Sequence, residues 1–300
     1  MGFQSILTYL PERTESQEVV DCSARWAREC KAKLALAQVL TPLPVYLRQP
    51  TYGYPALSDT LEREAQEALQ GVAAPLRQSG LDVATAVLTG KAHEELVREA
   101  IRAGHDLVIT PGHSESGSAH ATSTAVRLCR LCPVPVLAIS SGHAKPFRRI
   151  LATVDPLSRD DEGKELNERV IEAALEVARL EGGEVAVLYV WGEDLPPESL
   201  SSHGKDLEQL AKSALHDLLE PYEEEIDPQD ALLEFGDPST AICRVATEQE
   251  MDLVVLGTIA RRGVQAFWIG NTAEKTLTKL ELSVLAVKPS SFVSPLDPRS

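Results

Sequence analysis

Asp252-Leu-Val-Val-Leu256 runs directly into Gly257-Thr-Ile-Ala-Arg-Arg-Gly-Val-Gln-Ala-Phe-Trp-Ile-Gly270-Asn-Thr-Ala-Glu-Lys275. A short unbroken apolar run that closes on glycine reads as a strand buried on both faces, the kind found in a parallel sheet. The chain then passes through a loop carrying Arg261, Arg262 and Gly263 and enters a helix after Gly270. Strand end, glycine-bearing loop and helix start are the parts of an anion-binding cradle. Its candidate members are Gly257, Thr258, Arg261, Arg262, Gly263, Gly270, Asn271 and Thr272, and a nucleotide-like phosphate is the first ligand to test. Arg261 and Arg262 suit charge-assisted contacts to phosphate oxygens; a solvated loop accounts for them equally. Phe267 and Trp268 read as an apolar anchor that docks the loop.

The same strand stands in the first half as His105-Asp-Leu-Val-Ile109, with Asp106 matching Asp252 and Gly90 matching Gly236 at one offset. Around each copy the order is identical. Ser5-Ile-Leu-Thr-Tyr-Leu10 and Arg149-Ile-Leu-Ala-Thr-Val-Asp155 are β-type runs that end in proline turns. Helices follow, with Val19, Cys22, Trp26 and Cys30 in one half and Val170, Ala173, Val177 and Leu180 in the other at helical spacing. Second strands are expected at 34–40 and 185–190, long charged helices at 57–76 and 207–219, and third strands at 82–88 and 231–235. Helices at 92–103 and 238–248 lead to the fourth strands, and 134–139 and 282–287 are the fifth. Strands alternating with amphipathic helices give βαβ units and a parallel sheet covered on both faces. The fold class is therefore α/β, two tandem doubly wound domains, each a five-stranded mainly parallel sheet. The domains are expected at 1–142 and 147–290, with a hinge at 142–147 and a tail at 291–300. The connections at 41–57 and 191–203 are candidate lids or partner surfaces.

Net charge of -16 argues against a broad nucleic-acid or anionic-membrane surface, which needs clustered cations. No stretch approaches the roughly 20 apolar residues of a membrane span, and residues 1–10 lack the charged start and apolar middle of a secretory signal. A cytoplasmic location is the expectation. The odd set Cys22, Cys30, Cys129, Cys132 and Cys243 is no disulfide framework. Cys129-Arg-Leu-Cys132 has redox or half-metal-site spacing, but no second such pair completes it, and packing is the favoured role.

With strands, helices and the glycine-bearing loop laid out, nearly the whole chain resembles the universal stress protein family in its tandem two-domain form, whose fold is adenine nucleotide alpha hydrolase-like. ATP-binding members show Gly, two residues, Gly, nine residues, then Gly followed by Ser or Thr. Here the first glycine is Gly257, Ala260 replaces the second, and Gly270 is followed by Asn271. The resemblance implies that Asp155 contacts the nucleoside and that Val190, at the end of the second strand, lies against the base. Both positions agree with ligand binding at strand C-termini in open α/β sheets. It also implies ATP, with magnesium when bound, as the cofactor. Single-domain members associate through their fifth strands, so the repeat is expected to supply that pairing within one chain as a pseudo-dimer, with a homodimer of tandem units also compatible. Asn271 and Glu274 make a capping box as well, and Asp155 before Pro156 also suits a turn.

In the first half Leu10 stands opposite Asp155, and the loop from Thr110 to Ala125 lacks the glycine frame, with Thr122 opposite Gly270 and Ser123, Thr124 and Ala125 opposite Asn271, Thr272 and Ala273. Pro111 removes a donor and Glu115 adds a repelling charge, so this half reads as a degenerate copy without nucleotide. A nucleophile elbow, a Walker loop and a His-Glu-x-x-His helix are absent from the chain. The leading expectation is a non-catalytic stress-response protein binding ATP or a related small molecule in its second domain. A ligand-free interaction scaffold or apolar-metabolite binder, and a weak ATP hydrolase using Asp155 with a divalent metal, remain as alternatives.

Overall fold

The computed structural model describes residues 2–12, 17–42, 54–112, 119–141, 145–192, 197–258, 276 and 282–297. The chain divides into two compact units, residues 1–144 with 293–300, and residues 145–292. Residues 293–297 thus group with the first unit.

In the first unit β1 (Ser5–Tyr9), α1 (Gln17–Cys30), β2 (Lys33–Leu40), α2 (Tyr54–Gln78), β3 (Val83–Thr89), α3 (Ala92–Ala103), β4 (Leu107–Pro111), α4 (Ala119–Leu131) and β5 (Val136–Ile139) follow one another. The strands lie in the order β3-β2-β1-β4-β5 and every neighbouring pair is parallel. The second unit repeats this with β6 (Arg149–Val154), α5 (Asp161–Glu181), β7 (Glu184–Gly192), α6 (Pro197–Leu219), β8 (Ala231–Gly236), α7 (Pro238–Glu248), β9 (Leu253–Gly257) and β10 (Ser283–Val287). Its order is β10-β9-β6-β7-β8, again parallel throughout.

Apolar runs become the central strands because helices cover them on both faces. Ile6, Leu7, Leu107, Val108 and Ile109 are fully buried in the first unit, as are Ile150, Leu151, Leu253, Val254 and Val255 in the second. Edge strands β3 and β8 are only half-buried, and their sequences alternate less cleanly. On α1 the expected Val19, Cys22 and Trp26 are buried, with Trp26 stacked on Phe3 at 5.7 Å. On α5 the buried stripe runs through Val170, Ala174, Val177 and Ala178, one position along from the expected Ala173 and short of Leu180.

Several boundaries differ from the sequence expectation, among them the start of α2 at Tyr54, inside the connection read as 41–57. The connection read as 191–203 is partly helix, since α6 starts at Pro197; proline's fixed φ suits a first helical turn, where its missing N–H costs nothing. Strand β7 continues to Gly192 instead of stopping at Val190, because Trp191 and Gly192 keep their register with Phe235 and Gly236 of β8.

The repeated aspartates have a shared structural task. Asp106 accepts the backbone N–H groups of Gln4 and Ser5 at 2.7 and 3.0 Å, and Asp252 accepts those of Arg148 and Arg149 at 2.7 and 2.9 Å. Each carboxylate thereby pins the N-terminal end of a central strand, far along that strand from the end where ligands bind in such sheets. No helix among the described residues is long and apolar enough to cross a membrane.

Candidate functional site

In the second unit the chain leaves β6 toward β7 on one side, whereas β9 leads to β10 on the other. Open α/β sheets hold ligands in the crevice beyond the C-terminal ends of the strands at such a reversal. Asp155 emerges there, one residue after β6, and is exposed. Its backbone is held at both ends by one amide: Asp155 N–H donates to Asn167 Oδ1 and Asn167 Nδ2 donates to the Asp155 carbonyl, both at 2.8 Å. Asn167 lies in the buried face of α5 at 6% exposure, so its two bonds satisfy groups that would be costly to leave unmade. Ser158 N–H closes a turn onto the same carbonyl.

Tyr189 on β7 is the register partner of Val154, which precedes Asp155. Burial pushes its phenol up to about 12, and the negative charge of Asp155 adds to the shift. Val190 is half-buried within β7, beside Glu234, and does not end the strand. The strand runs on to Gly192 through Trp191, whose ring meets Phe235 edge-on at 5.1 Å. Gly192, at φ +98°, leaves room for that arrangement: a Cβ there would fall 2.3 Å from the Phe235 ring.

On the other side of the crevice, Gly257 ends β9 directly beneath α5. An added Cβ would sit 2.4 Å from Leu166 Cδ2, so any side chain at this position would require Leu166 to shift. Thr258 is buried at 1% exposure; its N–H donates to the Val287 carbonyl at 2.9 Å. Lys288, immediately after β10, is also buried, at 3% exposure. Its Nζ donates to Thr258 Oγ1 at 2.8 Å and to the Thr258 carbonyl at 3.1 Å, and sits 4.5 Å from the centre of the Phe292 ring. The chain beyond Lys288 fastens to α5: Ser290 N–H donates to Glu165 at 3.0 Å and Ser291 Oγ to Glu162 at 2.5 Å. The Ser290 bonds, side chain first, hold the Glu165 carboxyl below its usual range.

The structure therefore places Asp155, Gly257 and Thr258 at one end of the second sheet, with Val190 inside a neighbouring strand. Ala260, Arg261, Arg262, Gly263, Phe267, Trp268, Gly270, Asn271, Thr272 and Glu274 lie outside the described residues. Asn167 and Lys288 are additions that the sequence reading missed. Asn167 carried a signal, an amide at a helical step from the apolar Val170, Ile171 and Ala174. Lys288 carried little, since a lysine between an apolar run and Pro289 reads as a solvated strand exit.

The first unit corrects one pairing. Ile6 lies beside Leu107 and Ile150 beside Leu253, so the residue five along that corresponds to Asp155 is Pro11; Leu10 corresponds to Val154. Residues 119–125, read as loop, form the start of α4, while 113–118 lie outside the described residues. Cys129 on α4 and Cys132, one residue past its end, are both buried. Among the described residues no three of His, Cys, Asp or Glu converge as a metal site.

The profile of the universal stress protein family matches residues 2–140 and 146–288, once per unit. The chain is similar to a universal stress protein E homolog of Haemophilus influenzae, with 26% identity across 97% of this chain and 99% of the relative. In fold it is similar to a universal stress protein from Pseudomonas aeruginosa UCBPP-PA14, with TM-score 0.76 and 24% identity over 96% of this chain and 94% of the other. A universal stress protein from Archaeoglobus fulgidus DSM 4304 gives TM-score 0.65 and 17% identity over 95% and 97%. With one match to each unit and the same parallel strand order in both, the chain belongs to the universal stress protein family as a tandem of two such domains.

Proposed function

We infer that the second unit binds ATP or a related adenine nucleotide and that the chain acts as a non-catalytic, cytoplasmic stress-response protein. The observation that carries this reading is Asp155: an exposed carboxylate at the switch crevice, on a backbone made rigid by the buried Asn167. A fixed acceptor of this kind suits the hydroxyl groups of a ribose. Gly257 and Thr258 stand across the crevice, at the entrance to the glycine- and arginine-bearing loop that would receive phosphates. Magnesium would arrive with those phosphates.

A ligand-free scaffold is the second reading, favoured by Leu166 filling the space above Gly257, which accounts for that glycine without a ligand. Mass spectrometry of small molecules released from the purified, denatured protein separates the two, together with a thermal shift on adding ATP and Mg²⁺. The nucleotide reading expects a shift that Asp155→Ala reduces, with affinity falling about tenfold for loss of a charge-assisted hydrogen bond. Neither released nucleotide nor any shift would leave the scaffold.

A further inference from the structure

At the exit of the fourth strand the two units close alike, Gly112 N–H donating to the Ile139 carbonyl at 2.7 Å as Thr258 N–H does to that of Val287 at 2.9 Å. They agree again on the second strand, in a feature that closure does not need. Leu34 and Val185 are equivalent through their partners Ile6 and Ile150, so Gln38 corresponds to Tyr189. Each is a polar side chain within an otherwise apolar run, and each is more than nine-tenths buried, at 9% and 6% exposure. A buried hydroxyl left without a hydrogen bond is costly, and phenylalanine would fill the same space in β7 without that cost. Among the described residues the Tyr189 hydroxyl has no such partner. What lies near it is Asp155: Val154 is the register partner of Tyr189, and the exposed carboxylate one residue on acts on the phenol. The first unit has Pro11 at that position, which offers no carboxylate.

The pair has a specific chemistry. An ionised carboxylate only accepts hydrogen bonds, and a phenol held protonated, as burial and the Asp155 charge hold this one, has a proton to donate. A ligand hydroxyl satisfies both at once, donating to Asp155 and accepting from Tyr189. A cationic amine would leave the phenol proton unpaired, an ether or carbonyl would leave the carboxylate unpaired, and an anion would be repelled. We propose that Tyr189 is a specificity-determining residue of the crevice: it donates to the same ligand hydroxyl that donates to Asp155, and the two together select a ribose over a deoxyribose. This rests on the nucleotide reading above. Hydrogen bonds in such a chain polarise one another, so losing either end weakens the whole.

The test is calorimetric titration of the full chain with ATP, 2′-deoxyATP and 3′-deoxyATP, for wild type and Tyr189→Phe, with the denaturant midpoint of each protein measured without ligand. Wild type is expected to bind one of the two deoxy nucleotides about tenfold more weakly than ATP. Tyr189→Phe should weaken ATP about tenfold and leave that deoxy nucleotide unchanged, which erases most of the preference. Its midpoint should stay level or rise, because an apolar ring of the same shape replaces an unpaired hydroxyl. A merely structural tyrosine would instead lower the midpoint and weaken all three nucleotides alike, and that result overturns the proposal. So does unchanged ATP affinity in Tyr189→Phe, or wild type that binds ATP and both deoxy nucleotides equally, which needs no variant to show. Each of these leaves the nucleotide reading standing; wild type that binds none of the three overturns both.

Discussion

The exits of β4 and β9 are built on one backbone plan and carry opposite chemistry. Pro111, Gly112 and Ser140 stand in the first unit where Gly257, Thr258 and Lys288 stand in the second, and Pro11 stands where Asp155 does. The first set offers no charge, and the second places a carboxylate on one side of a crevice and a buried ammonium on the other. The difference teaches that the sheet does not dictate the site. A duplicated fold can keep its strand closure through backbone bonds alone while the side chains at its rim diverge.

The sharpest way to break this comparison is at Gly257. Gly257→Ala is expected to cost up to about 3 kcal/mol by overpacking against Leu166, most of it recovered when Leu166→Ala is combined with it, whereas Pro111→Ala in the first unit should cost far less. Chemical denaturation followed for each variant checks this; a Gly257→Ala protein as stable as the parent would mean that α5 yields readily.

The next effect should be equal in the two units. Asp106→Ala and Asp252→Ala each remove a carboxylate that accepts two strand-end N–H groups, and each should cost about 2 kcal/mol. Unequal losses in denaturant midpoints would show that one unit depends on its staple more than the other.

A smaller and reciprocal effect concerns left-handed backbone. Lys31 (φ +54°) occupies the position that Gly182 (φ +64°) holds in the second unit, and Glu250 (φ +49°) the one that Gly104 (φ +68°) holds in the first. Each unit thus has glycine at one of the two turns and a strained side chain at the other. Lys31→Gly and Glu250→Gly are each expected to stabilise by about 1 kcal/mol, the relief of a left-handed side chain less the added freedom of the unfolded chain. A calorimetric melt of each variant reads the shift.

The smallest effect lies at alkaline pH. Burial pushes the phenols of Tyr9 and Tyr189 up to about 12, assisted by Glu12 and Asp155 respectively. Both groups are raised, so their contribution is complete below the unfolded value near 10 and is lost as pH climbs toward 12. Ultraviolet titration should show the two rings ionising late, and Asp155→Asn should bring Tyr189 down while leaving Tyr9 in place.

Most of the architecture was legible because buried parallel strands must be apolar throughout and helices must repeat near every fourth residue. The edges of α3 and α7 coincide with expectation where punctuation is strong, at Gly104 and at Pro238. They drift where it is weak, as at α6, whose first turns hide in a segment rich in proline and serine. Asp155 and Gly257 were readable at the site because both follow apolar runs. Lys288 was not, since a buried cation depends on partners thirty residues away in sequence, Thr258 above all.

One helix, α5, serves three clients: Asn167 grips the Asp155 turn, Leu166 roofs Gly257, and Glu162 with Glu165 tethers the segment at Ser290 and Ser291. A chain shortened to end before Ser290 would keep every strand of the second sheet and still unmoor the start of that helix. The segment at Ser290 and Ser291 is thus an accessory of the crevice, fastened to the same helix that holds the Asp155 turn at the far side.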